Sequence, residues 1–158
     1  MSKKNIIEGN HALDHATIGI VASRFNSFVV DRLLSSCLET LRAAGLKNDN
    51  LIVVRVPGAF EIPVTVKRLI KTRNCEAIIT LGAIIRGETP HFEYIATECS
   101  RGLAQTALEY DVPVIFGVLT VDNSEQAMDR AGTEESNKGS EAARAAIEMI
   151  NVMRGLNQ

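Results

Sequence analysis

Four short runs of apolar, largely β-branched residues constrain the fold of this chain more than any other feature of its sequence. They cover residues 17–22, 51–56, 77–85 and 114–119. Few polar residues interrupt them, as expected for strands that are covered on both faces. Strands of this kind pair in parallel, so the chain must cross over the sheet between one strand and the next.

The segments between these runs show the three- and four-residue spacing of amphipathic helices. The pattern predicts that Asn26-Ser27 caps the first helix and that Gly45 ends it. Thr89 is placed to cap a later helix, with Pro90 at its first position. Strands alternating with helices predict an α/β protein: a flavodoxin-like three-layer α/β/α sandwich with a central four-stranded parallel sheet.

One domain over residues 1–158 is expected, with residues 1–15 as a polar N-terminal extension. The 17 Lys and Arg against 19 Asp and Glu give a net charge of −2, which argues against nucleic acid or a membrane surface as a partner. No apolar run approaches the ~18 residues of a membrane span, and the first residues lack the apolar stretch of a secretory signal. These features favour a cytoplasmic protein.

Three cysteines are widely separated in the sequence, at positions 37, 75 and 99. They cannot all pair within one chain, and they lack the close spacing of a zinc site. We therefore expect buried free thiols. His11 and His15 lie in the polar extension with no further ligand nearby, so they are expected to be solvated and no metal site is predicted.

Unusual residues follow three of the predicted strands, in residues 24–26 (RFN), 57–61 (PGAFE) and 86–91 (RGETPH). The carboxyl ends of parallel strands lie at one edge of the sheet, where open α/β sheets bind ligands. An aromatic ring there can stack on a flat heterocycle. Phe25 and Phe60 fit this description, and they fit equally well as ordinary core rings.

His91 is expected in the first turn of a helix, where the helix dipole disfavours positive charge. A neutral imidazole can both accept and donate a proton. The preceding residues 87–89 can offer backbone N–H groups to an anion, but such a site needs a cation as partner. Arg130 and Lys138 are the candidates, and the alternative is that both are exposed charges that only aid solubility.

Taken together in order and spacing, several segments resemble the lumazine synthases of riboflavin biosynthesis. The resemblance covers nearly the whole chain and is carried by residues 24–26 (RFN), 56–63 (VPGAFEIP), 82–95 (GAIIRGETPHFEYI), 116–120 (FGVLT) and 129–139 (DRAGT followed by NKG). It implies condensation of 5-amino-6-(D-ribitylamino)pyrimidine-2,4-dione with 3,4-dihydroxy-2-butanone 4-phosphate. The expected products are 6,7-dimethyl-8-ribityllumazine, phosphate and water, and no cofactor is expected because the substrate carries its own leaving group.

The resemblance also implies residue roles. The residues expected to hold the pyrimidine and its ribityl chain are Phe25, Ala59, Phe60, Glu61, Ala83, Ile84 and Ile85. Those expected to bind phosphate or to act in catalysis are Glu88, Thr89, His91, Arg130 and Lys138. In this scheme Arg130 clamps the phosphate, His91 transfers protons, and Phe116 reaches the site of an adjacent subunit.

The implied partners are the two small-molecule substrates and further copies of the chain, as a homopentamer or as an icosahedral shell of twelve pentamers. The resemblance also implies riboflavin synthase as a further partner of such a shell. Residues 134–136 (EES) depart from the Lys-Ala-Gly that shell-forming members often carry. One rival interpretation is a non-catalytic protein of the same fold that binds lumazine or flavin or only forms a shell. Another is a generic nucleotide-binding domain.

Overall fold

The central sheet has four parallel strands in the order β2-β1-β3-β4. A computed structural model describes residues 4–133 and 135–158. The strands are β1 (Ile18–Ser23), β2 (Leu51–Val56), β3 (Ala77–Ile85) and β4 (Val114–Val121). All four predicted strands are confirmed, and their bounds differ from the predicted ones by two residues at most.

In the described part of the chain, five helices cover the two faces of this sheet. They are α1 (Ser27–Ala43), α2 (Ile62–Arg73), α3 (His91–Tyr110), α4 (Ser124–Arg130) and α5 (Lys138–Leu156). One buried cluster joins α1, α4 and α5 to one face, and a second joins α2 and α3 to the other. The three-layer flavodoxin-like α/β prediction is therefore confirmed.

The alternation along β3 shows how one strand serves both layers. Ile79 and Leu81 pack toward α1 and α5, whereas Ile78 and Ile84 pack toward α2 and α3. Because successive side chains of a strand point to opposite faces, a strand between two helical layers needs apolar residues at nearly every position. This explains the unbroken apolar run that marked β3 in the sequence.

Two of the predicted helix boundaries need correction. Asn26 precedes α1, but its side chain makes no cap bond because its backbone is left-handed, with φ 60° and ψ 44°. Pro90, rather than Thr89, is the cap residue of α3, and its carbonyl accepts from the Glu93 N–H at 3.0 Å. Helix α3 therefore starts at His91, one residue later than predicted. Gly45, at φ 117°, ends the first helix as predicted.

Cys37, Cys75 and Cys99 all lie in the described part of the chain and are buried free thiols, as predicted. Burial raises the pKa of Cys37 to about 12 and that of Cys99 to about 11. Since the thiolate is the nucleophilic form, these cysteines are inert packing residues near neutral pH.

The N-terminal segment packs along the second half of α5. The Asn151 amide donates to the carbonyls of Asn10 and Ala12 at 3.0 and 3.1 Å. The Arg154 guanidinium donates to the His15 carbonyl at 2.6 Å and pairs with Glu76 at 2.8 Å. Glu76 directly precedes β3, so this anchoring lies at the amino edge of the sheet. Among the described helices, none has the length and apolar character needed to span a membrane.

Candidate active site

The carboxyl ends of β1 and β3 form a crevice because the helices that follow these neighbouring strands leave on opposite faces of the sheet. In doubly wound sheets this switch point is where ligands bind. A cavity of about 270 Å³ opens here. Its lining residues are Phe25, Asn26, Ala59, Ala83, Ile84, Ile85, Gly87, Thr89, His91, Phe92 and Ile95.

Seven of the predicted site residues line this cavity. They are Phe25, Ala59, Ala83, Ile84, Ile85, Thr89 and His91. Phe60 and Glu61 lie beside it in the short 3₁₀ turn Ala59–Glu61 that precedes α2. Glu88 is exposed in the loop between β3 and α3 and is not among the lining residues.

Phe25 is held by its backbone while its ring remains free. The Arg24 N–H donates to the Val56 carbonyl at 2.7 Å, and the Phe25 N–H donates to the Pro57 carbonyl at 3.0 Å. These bonds tie the end of β1 to the end of β2. The Phe25 side chain is 72 % exposed and Phe60 is 59 % exposed, so the interpretation of both as core rings was wrong.

Asn26 ties the same loop to β3. Its amide Nδ2 donates to the Ala83 carbonyl at 2.8 Å. The left-handed backbone turns the side chain toward β3 instead of toward the N–H groups of α1, which is why it does not act as a side-chain cap. Together with the Phe25 bond, this contact connects the ends of three strands at one point of the cavity wall.

His91 is the first residue of α3 and is exposed at the cavity, as its sequence position predicted. The next residue, Phe92, has its ring 4.6 Å from the Arg86 guanidinium carbon. Arg86 is oriented by Asp122, whose carboxylate accepts from Nε at 2.9 Å. That hydrogen bond raises the pKa of Arg86 above its usual value. The wall next to His91 is thus braced by an aromatic ring and an ion pair.

Phe116, Arg130 and Lys138 lie in a different place, in a cleft of about 400 Å³ beside the edge strand β4. Phe116 is 48 % exposed on that strand. The Arg130 Nη1 donates to the Gln126 carbonyl at 3.0 Å, and Lys138 Nζ donates to Glu141 at 2.9 Å. The cavity that contains His91 does not include either cation. One chain therefore holds the predicted site in two separate halves.

Four of the lining residues, Asn26, Gly87, Phe92 and Ile95, had not been predicted to hold the pyrimidine. Gly87 had been placed in the anion-binding loop 87–89, so the other three are the residues that sequence reasoning missed. Asn26 was assigned to capping, and the two apolar residues were assigned to the buried stripe of α3. Phe92 and Ile95 are only half-buried at the start of that helix. Ile95 lies four residues after His91 and three after Phe92. This spacing was the available signal, because residues three and four apart are neighbours on one face of a helix.

Residues 4–133 and 135–158 contain no group of three His, Cys, Asp or Glu side chains arranged to hold a metal ion. His11 instead pairs with Glu148 at 3.2 Å. The segment 134–136 differs from the Lys-Ala-Gly of shell-forming members, and its first residue, Glu134, lies outside the described residues. Ser136 donates its N–H to the Thr133 carbonyl at 3.0 Å.

Comparison with known families gives a match that covers most of the chain. A family model described as 6,7-dimethyl-8-ribityllumazine synthase matches residues 15–154. The matched region contains both halves of the predicted site and all four strands.

Proposed function

The chain belongs to the 6,7-dimethyl-8-ribityllumazine synthase family, and on this premise we propose that it catalyses the reaction of that name. The enzyme, a transferase, condenses 5-amino-6-(D-ribitylamino)pyrimidine-2,4-dione with 3,4-dihydroxy-2-butanone 4-phosphate. The products are 6,7-dimethyl-8-ribityllumazine, phosphate and water. The observation that carries the proposal is the cavity between β1 and β3, which places an exposed aromatic ring, an apolar wall and His91 around one small volume.

The pyrimidine occupies the apolar part of this cavity. The exposed Phe25 ring stacks on the flat heterocycle, a contact that contributes about 0.5–1.5 kcal/mol beyond its area burial. Ala83, Ile84 and Ile85 form the opposite wall at the end of β3. The ribityl chain extends along the turn Ala59–Glu61, where Glu61 provides a carboxylate that can accept hydrogen bonds from hydroxyl groups.

The phosphorylated ketone lies at the start of α3. Backbone N–H groups of the first helical turn and of residues 88–89 face a region of positive helix dipole, which favours a phosphate dianion. Gly87 leaves open space beside its Cα, so a ligand can approach the loop closely. A cation must complete this site, and within one chain Arg130 and Lys138 lie in the other cleft.

We assign that cation to an adjacent subunit of a homo-oligomer, a pentamer or a shell of twelve pentamers. Phe116, Arg130 and Lys138 are grouped beside the edge strand β4, where a second copy of the chain can reach them. Arg130 then holds phosphate with two parallel hydrogen bonds, and Phe116 closes the cavity over the heterocycle. The phosphate clamp and the proton carrier thus come from different subunits.

The chemistry requires proton transfers and correct positioning. The aryl amine attacks the ketone to form a Schiff base, phosphate leaves by elimination, and a second condensation closes the ring. Holding both substrates face to face lowers the barrier by about 7–11 kcal/mol. General acid–base catalysis by His91 adds about 10²–10⁴-fold. No cofactor is needed, since the leaving group is part of the substrate.

The test is an assay with both substrates, following the lumazine chromophore and free phosphate. Wild-type protein should form both in equal amounts. His91→Ala should lower kcat by about 10²-fold or more, because it removes the proton carrier, while pyrimidine binding persists. His15→Ala is the matched control, because the contact of this second histidine is made by its backbone carbonyl, which accepts from Arg154.

A non-catalytic binding protein of the same fold predicts a different outcome. It would bind the pyrimidine or lumazine, but the wild-type protein would release no phosphate and form no lumazine from the two substrates. Equal rates for wild type and His91→Ala would remove His91 from the mechanism.

A further inference from the structure

The two cations of the β4 cleft flank a single loop. Arg130 is the last residue of α4 and Lys138 is the first residue of α5. Both line the same cleft. Their relative position therefore depends on how the intervening residues 131–137 are held.

Asn137 is the buried residue that ties the two ends of this loop together. It is 2 % exposed. Its Oδ1 accepts from the Gly139 N–H at 2.7 Å and from the Ser140 N–H at 3.4 Å. Its Nδ2 donates to the Gly132 carbonyl at 3.2 Å. One side chain thus contacts the start of α5 and a backbone group two residues after Arg130.

The α5 end of this tie is a fixed platform. Gly139 packs so closely on α1 that a methyl group in its place would overlap the Leu33 carbonyl. Ser140 Oγ and Ser36 Oγ form a buried hydrogen bond of 2.6 Å. Because this part of α5 cannot shift against α1, the hydrogen bond from the Asn137 amide can hold the Gly132 carbonyl in a fixed position.

Helix α4, at the other end of this tie, is less stable by itself than α5. Helix α4 has seven residues, fewer than an isolated helix needs to be stable in water. Its N-terminus is capped by Asn123, which accepts from the Gln126 N–H at 2.9 Å. Its C-terminus, where Arg130 lies, leads directly into the loop. The contact between Asn137 and Gly132 is therefore well placed to restrain Arg130.

We propose that Asn137 is a positioning residue, which holds Arg130 and Lys138 at a fixed separation so that both can act on the phosphorylated substrate. The proposal rests on the function proposed above. The asparagine amide presents an acceptor oxygen to the helix N–H groups and a donor nitrogen to the Gly132 carbonyl at the same time. Neither catalysis nor substrate contact by Asn137 itself is required.

Two substitutions remove the hydrogen bond to Gly132 but keep the side-chain cap of α5. Asn137→Asp and Asn137→Ser both keep an oxygen that caps α5, but an ionised carboxylate cannot donate to Gly132 and the serine hydroxyl is too short to reach it. We expect KM for the phosphorylated ketone to rise about tenfold in both variants, as in Arg130→Ala. KM for the pyrimidine and kcat at saturation should stay within about twofold.

Ile78→Val is the matched control for a general loss of stability. It removes one buried methyl group near the start of β3, on the sheet face that α2 and α3 cover, and leaves the loop tie intact. We expect a lower melting temperature for Ile78→Val with both KM values unchanged. A rise in KM for the phosphorylated ketone in this control as well would assign the effect to stability and overturn the proposal.

Hydrogen exchange provides a readout that does not depend on the reaction. The amides of Ala131, Gly132 and Thr133 should exchange faster in Asn137→Asp and Asn137→Ser than in wild type or Ile78→Val. Unchanged exchange would show that the tie does not restrain the loop. An equal rise in both KM values would show that it does not act on the phosphate side. Wild type that forms no lumazine would refute the proposed function, while the exchange data would still decide whether the tie holds the loop.

Discussion

Asn26 combines a left-handed backbone with a hydrogen bond to the Ala83 carbonyl, 57 positions further along the chain. The first property could be suspected from the sequence, because asparagine tolerates this backbone region better than most residues. The second could not, because a side chain before a helix can cap that helix or turn away from it. The choice depends on where the end of β3 lies, which is a tertiary property.

Asn26→Asp tests this hydrogen bond at nearly constant shape. The carboxylate tolerates the same backbone but faces the Ala83 carbonyl without a donor. We expect the free energy of unfolding to fall by about 2 kcal/mol, within the range for a disrupted partly buried hydrogen bond. Pyrimidine binding should weaken as well, since Phe25 is adjacent. Thermal denaturation at fixed protein concentration and a binding titration measure the two effects.

Asn74→Asp is the matched control for Asn26→Asp. Asn74 is also left-handed, at φ 50°, but it is exposed at the end of α2. The same substitution there should cost about 0.5 kcal/mol, mainly from negative charge at a helix C-terminus. Equal losses at both positions would mean that backbone conformation, rather than the bond to Ala83, explains the effect.

At the scale of elements, the strands were the most predictable part of the molecule. Every position of β1 is buried and β3 is buried up to its last residue, so the apolar runs left little choice. Helix ends were less predictable, as the Thr89 and Pro90 assignments show. A helix boundary depends on one or two backbone angles, and several residue types can adopt either the helical or the non-helical angles.

The close packing of α5 on α1 was not visible in the sequence. Gly139 is a helix residue whose missing side chain lets the Leu33 carbonyl approach. Gly139→Ala should therefore destabilise the protein by about 2 kcal/mol through overpacking, although alanine is the better helix former. A lower melting temperature is the expected result.

Gly155→Ala makes the same change near the end of the same helix. There the added methyl group would lie 3.0 Å from Ile7 Cγ2, the end of a side chain that can move. The melting temperature should stay the same or rise slightly. If Gly139→Ala behaves like Gly155→Ala, then the contact between α1 and α5 is not a tight constraint.

At the scale of the whole molecule, the sequence predicted residues for the candidate site but not how one chain distributes them in space. His91 lies in one cavity, and Arg130 and Lys138 lie in another. A motif records which residues a family needs. It does not record whether two of them meet within one chain or across a boundary between copies, because both arrangements have the same sequence.

Co-expression of two defective subunits tests the shared site. At a concentration of phosphorylated ketone well below KM, His91→Ala and Arg130→Ala subunits should each have low activity alone. In mixed oligomers about a quarter of the sites should combine an intact His91 with an intact Arg130 from the neighbour, if contacts are head-to-tail. Activity should therefore recover to about a quarter of the wild-type value, measured by chromophore formation, with light scattering to confirm equal assembly.

The outcome of this mixing experiment separates the two arrangements. If both residues act within one chain, no mixed oligomer contains an intact site. Activity would then remain at the level of the separate variants, and the assignment of Arg130 to an adjacent subunit would fail.

The anchoring of residues 10–15 on α5 has a consequence for how such chains diversify. Arg154, Asn151 and Glu76 secure the amino edge of the sheet, whereas the cavity opens at the carboxyl edge. Selection can therefore act on the two edges independently. Natural variation at the amino edge should alter how much folded protein a cell accumulates, and variation around the cavity should alter what each molecule does.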